Sequence, residues 1–227
     1  MPGLRLVRLA IVVTFGAHGL AMLAMLALLL PAMPGGTGAS DAERMQWIAG
    51  HVTSYRLGWL PWHVTAASDL LLALALLRLP KIPLGLRWGQ LALTTVALLC
   101  DQGGQALLLT RGVDRAIAGD LPGFLAVEHL AFPLTAWYAA LLYTLGAIAW
   151  TFAFRAAGIW SRAVAALSVP LWALFLVATI GPLLPPGVRL PDRAVAGANA
   201  LGFVGMELWF FLLWRASGRK GPVTSVR

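Results

Sequence analysis

The chain has 227 residues, 59% of them hydrophobic and 11% charged, with a mean hydropathy of +0.80 and a formal net charge of +8. Soluble domains carry about 25% charged residues, so this composition excludes an ordinary water-soluble protein and points to a polytopic membrane protein. The basic excess is not read as a nucleic-acid face, because the Lys and Arg residues follow a membrane pattern.

A spanning helix needs about 20 mainly apolar residues. Six segments qualify: 9–33, 58–78, 88–110, 124–153, 160–183 and 194–214. Arg5 and Arg8 precede the first, as they would in a signal peptide. But Leu9 to Met33 far exceeds the roughly 7–15 residue core of a cleaved signal, so a retained span is expected. The fold class is therefore an all-α bundle of six transmembrane helices, one integral membrane domain over 1–227. The loops are too short for a soluble domain.

The first connection carries structure of its own. Ser40-Asp41-Ala42-Glu43 is a capping-box pattern, and Met45, Ile48, Val52 and Tyr55 follow at helical spacing. A short amphipathic helix is expected there, on the outer leaflet and packed on the bundle rather than acting as a lid. Asp120 before Leu121-Pro122 reads as an N-cap with proline in the first turn. Asp192 reads as the cap of the last span.

Orientation follows from the basic residues. With the N-terminus inside, the cytoplasmic segments hold Arg5, Arg8, Arg78, Lys81, Arg87, Arg155, Arg162, Arg215, Arg219, Lys220 and Arg227, 11 of the 17 Lys and Arg. Arg44, Arg56, Arg111, Arg115, Arg189 and Arg193 fall outside, as do Asp41, Glu43, Asp114, Asp120 and Asp192. The positive-inside bias predicts N-in, C-in, in a bacterial inner membrane. Trp59 and Trp62 at one end, and Trp88, Trp150, Trp160 and Trp214 at the other, are expected to be interfacial anchors. Cys100, the only cysteine, reads as a small packed hydrophobe.

The remaining acids, Asp69, Asp101, Glu128 and Glu207, lie within spans, together with His18, His63, His129, Gln102, Gln105 and Asn199. An acid at a helix centre costs about 2.5–3.5 kcal/mol on insertion scales, so Asp69, Asp101 and Glu207 together would cost about 8–10 kcal/mol. Such groups must point inward and find partners or carry a proton. No lysine or arginine lies mid-span, so protons, cations or histidines are expected to neutralise them. Asp101, Gln102 and Gln105 share an arc about 100° wide, and Gly103 and Gly104 would let a neighbouring helix approach. Helix 2 offers a matching stripe in Trp62, Thr65 and Asp69. Pro133 removes the amide that would bond the His129 carbonyl. The polar interior is expected among helices 2, 3, 4 and 6, opening towards the outer face.

A metal site would draw on His63, Glu128 and His129, and a bis-histidine haem on His63 and His129. There is no HExxH, Walker motif, nucleotide fingerprint or serine-hydrolase elbow. The leading expectation is a non-enzymatic binding or carrier role. A small ligand, cation or proton would be held by Asp69, Asp101, Gln105 and Glu128, with His129 as a pH-sensitive partner and Gln102, Asn199 and Glu207 completing the polar set. An accessory subunit, with other membrane subunits as partners besides the bilayer, is the second reading. An intramembrane enzyme acting on a lipid or quinone, with Glu128 and His129 as acid and base, is the third.

The segment GHVTSYRLGWLPWHVTAASDLLLALALLRL, the turn AFRAAGIWSRAVAALSVPLWAL and the acid of GMELWFFLLWRASG resemble a family of small bacterial six-helix membrane proteins of unknown function. The DQGGQ stretch and the His-bearing fourth span lie outside that resemblance. It implies fold and topology only.

Overall fold

In the computed structural model, residues 2–185 and 187–218 are described, apart from the side chains of Pro2, Asp192 and Arg193. The expected cap at Asp192 and the basic residues Arg193, Arg219, Lys220 and Arg227 lie outside that description. Six helices are long and apolar enough to cross a membrane: α1 (Gly3–Ala32), α3 (Val52–Leu77), α4 (Leu84–Ile117), α5 (Leu121–Ala156), α6 (Arg162–Leu183) and α7 (Ala194–Gly218). A shorter helix, α2 (Asp41–Gly50), stands between the first two.

Each long helix packs on the one before it, and α7 returns against α1, so the six close into a ring in sequence order. Short connections force this neighbour-to-neighbour path. The tightest joins α4 to α5 through residues 118–120, where Gly119 takes φ +67°. That sign favours glycine, which has no Cβ to clash. Asp120 caps α5 as expected, accepting from the Gly123 amide at 2.9 Å.

α4 runs on to Ile117, so Arg111, Asp114 and Arg115 sit on helix, not in a loop. Polar residues do not stop a helix that already has a template, and only Gly119 breaks it. The capping box at α2 forms: the Ser40 amide donates to Glu43 at 2.7 Å and the Glu43 amide to the Ser40 hydroxyl at 3.3 Å. α2 then breaks at His51 (φ −131°, ψ 35°), and Met45, Ile48 and Tyr55 face inward across the break.

Two apolar cores fill the ring. One joins Ile11, Leu76, Phe154, Leu171, Trp209 and Phe210 from α1, α3, α5, α6 and α7. The other, at the α2 end, joins Leu29, Ile48, Trp59, Leu108 and Phe124 from α1 to α5. Several indoles are core residues and not interfacial anchors. Trp59 and Trp150 are buried. The Trp150 Nε1 donates to Gln90 Oε1 at 2.7 Å, Trp172 to the Thr151 hydroxyl at 2.9 Å and Trp209 to the Ser168 hydroxyl at 2.9 Å. A buried indole N–H needs an acceptor, and these last three have one on a neighbouring helix, whereas the Trp59 Nε1 has none among the described residues. Trp88 and Trp214 do face outward.

Candidate functional site

The interior polar residues lie between the two apolar cores on each contributing helix. On α1 this is His18, on α3 Thr65 and Asp69, on α4 Asp101, Gln102 and Gln105, and on α5 Tyr143. The Thr65 hydroxyl shares its one hydrogen between the Pro61 carbonyl of its own helix at 2.9 Å and the Ala17 carbonyl of α1 at 3.2 Å. Thr14 donates the other way, to the Ser68 carbonyl of α3, and the two hydroxyls stitch those helices together.

The α4 arc behaves as one unit. Gln105 Nε2 donates to Asp101 Oδ1 at 2.8 Å and Gln102 Nε2 to Asp101 Oδ2 at 3.2 Å. The Gln102 carbonyl oxygen in turn meets His63 Nδ1 of α3. An amide oxygen only accepts, so the His63 Nδ1 carries the hydrogen, and the chain of donors runs from α3 to the Asp101 carboxylate. Gly104 lets α5 approach: a Cβ there would fall 2.5 Å from Thr135 Cγ2 and 2.7 Å from the Ala131 carbonyl oxygen. Gly103 faces open space, so only one of the pair serves close packing.

Asp69 lies on α3, which packs on the α4 that carries Asp101. Its Oδ2 is 3.8 Å from His18 Nε2, with both side chains buried. Its Oδ1 has no hydrogen-bond partner among the described residues. Tyr143 lies on α5 in the same layer between the two cores, and its hydroxyl is likewise without a partner among the described residues. Glu207 is half-buried on α7, against Gly19 of α1, with Oε1 unpartnered.

Glu128 stands apart from this group. Arg44 of α2 reaches it with both guanidinium nitrogens, at 2.7 and 2.6 Å, and also donates to the Ala32 carbonyl at 3.0 Å and to Asp41 at 2.8 Å. Burial alone would weaken the Arg44 charge. The bonds from Glu128 and then Asp41 overcome it and hold the guanidinium above its ordinary value. The expectation that no arginine neutralises the span acids is therefore corrected for Glu128: the cation arrives from the connecting helix, outside any span.

His129 and Asn199 are exposed on the outside of the bundle. Successive residues turn by about 100°, so burying Glu128 sends His129 outward. His63, Glu128 and His129 thus point to three different places. Among the described residues no group of three His, Cys, Asp or Glu side chains is arranged to hold a metal ion. The acid and base of the enzyme reading, Glu128 and His129, are separated in the same way. Pro133 opens a π-helical stretch, Pro133–Ala139, in which α5 absorbs the missing amide.

Three residues that complete this picture were not singled out by sequence: Arg44, Tyr143 and Gln90. Gln90 joins α3, α4 and α5 by donating to the Ala73 carbonyl and accepting from Trp150. Arg44 had a signal, since it lies on the inward face between Asp41 and Ile48 of a capped amphipathic helix.

No protein-family model, curated protein or solved structure matches the chain. The resemblance seen in the sequence layout gains nothing from these comparisons, and the functional argument rests on geometry.

Proposed function

We propose that this chain is a multi-pass integral membrane protein that binds a proton or small cation at an interior site built on Asp69 and Asp101, and acts as a small carrier. One observation supports the reading above others. Two acids on helices that pack on each other, Asp69 and Asp101, both lie in the polar layer between the two apolar cores, and neither is ion-paired to lysine or arginine among the described residues. An intramembrane ionisable group is costly, and such groups mark ion and proton pathways. The Lys and Arg bias supports a bacterial inner membrane with both termini cytoplasmic and α2 on the outer side.

The test is flux in liposomes that enclose a pH-sensitive dye, under an imposed pH or sodium gradient. The wild-type protein dissipates the gradient faster than empty liposomes, and Asp101→Asn returns the rate to theirs. A correctly folded Asp101→Asn protein with wild-type flux, or a wild-type protein no faster than empty liposomes, defeats the reading.

One observation favours an accessory subunit instead. Asn199 is exposed on α7 beside the exposed Leu201 and Val204, an amide on an otherwise apolar outward face that a partner helix would satisfy. Native mass in mild detergent separates the two, since a lone particle that carries flux is a carrier.

A further inference from the structure

We infer that the occupant of the interior site is a proton held between Asp69 and His18, with Asp69 as the neutral acid, His18 Nε2 as its acceptor, and Asp101 as the ionised member of the acid pair. This rests on the carrier reading and names what the site takes up.

Hydrogen-bond direction carries the argument. His18 Nδ1 lies 3.0 Å from the Thr14 carbonyl oxygen. A carbonyl only accepts, so Nδ1 carries the hydrogen, and in the neutral ring Nε2 is left with a free lone pair. That lone pair faces Asp69 Oδ2 at 3.8 Å. Asp69 receives no donor on either oxygen among the described residues, and Oδ1 is buried without a partner. A bare buried carboxylate is the costliest form of that group, whereas a carboxylic acid supplies a donor for the one acceptor in front of it.

Asp101 is the reverse case. N–H donors from Gln105 and Gln102 point at both of its oxygens, and donors on both oxygens favour the charged form. Two like charges on packed helices oppose each other, which adds to the burial without a donor that already disfavours a bare Asp69 carboxylate. The other titratable groups of the polar layer are Tyr143 on α5, Cys100 on α4, Glu207 on α7 next to Gly19, and His63 on α3, which is bonded to Gln102. None of them donates to Asp69.

The step is balanced. The Asp69 O–H bond breaks, its electron pair stays on the carboxylate, and an N–H bond forms at His18 Nε2. The imidazole becomes an imidazolium while Nδ1–H stays on the Thr14 carbonyl. Net charge does not change, so the transfer needs no second ion. The gap is about 1 Å beyond hydrogen-bond length, and a small side-chain movement on α1 or α3 closes it.

Infrared spectroscopy of the full chain in lipid nanodiscs at neutral pH tests this, in a Glu207→Gln background so that only one protonated carboxyl is expected. One such band appears. It moves when aspartate with heavy carbon in its carboxyl group is incorporated, disappears in Asp69→Asn, survives in Asp101→Asn, and shifts in His18→Gln as its acceptor changes. The aspartate label and the nitrogen NMR signature of His18, expected as the Nδ1–H form, need no variant at these residues. A band that ignores the aspartate label, survives in Asp69→Asn or is absent from the parent overturns the inference, as does an Nε2–H form of His18. Flux that depends on Asp101 without this band leaves the carrier standing and removes the proton assignment. The band without flux does the opposite.

Discussion

Glu128 and Asp69 are both buried acids, 5% and 6% exposed, and their surroundings differ completely. Glu128 receives a two-pronged guanidinium from a residue 84 positions away, carried on a helix that is itself capped and packed. Asp69 receives nothing but the lone-pair side of an imidazole at 3.8 Å. A paired buried charge is fixed, because moving either partner strands the other. An unpaired acid is free to gain or lose a proton. The first region therefore locks α2 to α5, and the second is where the proposed proton would reside.

The contrast breaks most sharply through substitution of the two acids. Glu128→Gln removes the anion and leaves the buried Arg44 charge without its main partner, which costs about 3–5 kcal/mol. Unfolding in detergent, followed by circular dichroism, measures the loss. Asp69→Asn exchanges a neutral acid for a neutral amide of the same shape and costs far less. Equal losses for the two variants would show that Asp69 is also a fixed charge, and would erase the distinction.

A smaller effect sharpens it from the packing side. Gly104→Ala pushes a methyl against the Ala131 carbonyl, which is backbone and cannot swing away, so overpacking of about 1–3 kcal/mol is expected. Gly103→Ala enters open space and stays within about 0.5 kcal/mol. Gly104 is one turn from Asp101, so the first variant also changes liposome flux while the second does not. Flux unchanged in a destabilised Gly104→Ala protein would separate the acid cluster from the α4–α5 contact.

The six spans and two of the three expected caps, Ser40 and Asp120, were legible because hydropathy and cap chemistry are local signals. The α4 arc was legible too, since Asp101, Gln102 and Gln105 share a face at helical spacing. What sequence did not show depends on contacts between distant segments. Arg44 counted as an outside charge in the orientation argument, and nothing local said that it turns inward to Glu128. Trp59 and Trp150 sit near span ends, where indoles often anchor, yet both are buried because the ring leaves room and Gln90 offers Trp150 an acceptor. His129 and Asn199 are polar residues within apolar runs, and the rotation that hides Glu128 or packs α7 on α6 turns them outward.

The smallest expected effect isolates α2. Ser40→Ala removes the hydroxyl that accepts from the Glu43 amide, a cap worth about 1 kcal/mol. Amide hydrogen exchange across Asp41–Gly50 should then rise about fivefold. The same cap gives α2 a pH response of known sign. The Glu43 carboxyl is held below its ordinary value by the Ser40 amide first and the Ser40 hydroxyl second. Its folded value is the lower one, so its stabilisation is complete above the unfolded value near about 4.3. That stabilisation is lost as pH falls through the folded value. Exchange in α2, corrected for intrinsic rates, should therefore loosen in acid, and less steeply in Ser40→Ala, while amides around Asp69 keep their protection in that variant at neutral pH. Equal loosening around Asp69 would mean that the locked region and the protonatable region open as one unit, and that α2 governs access to the acid pair.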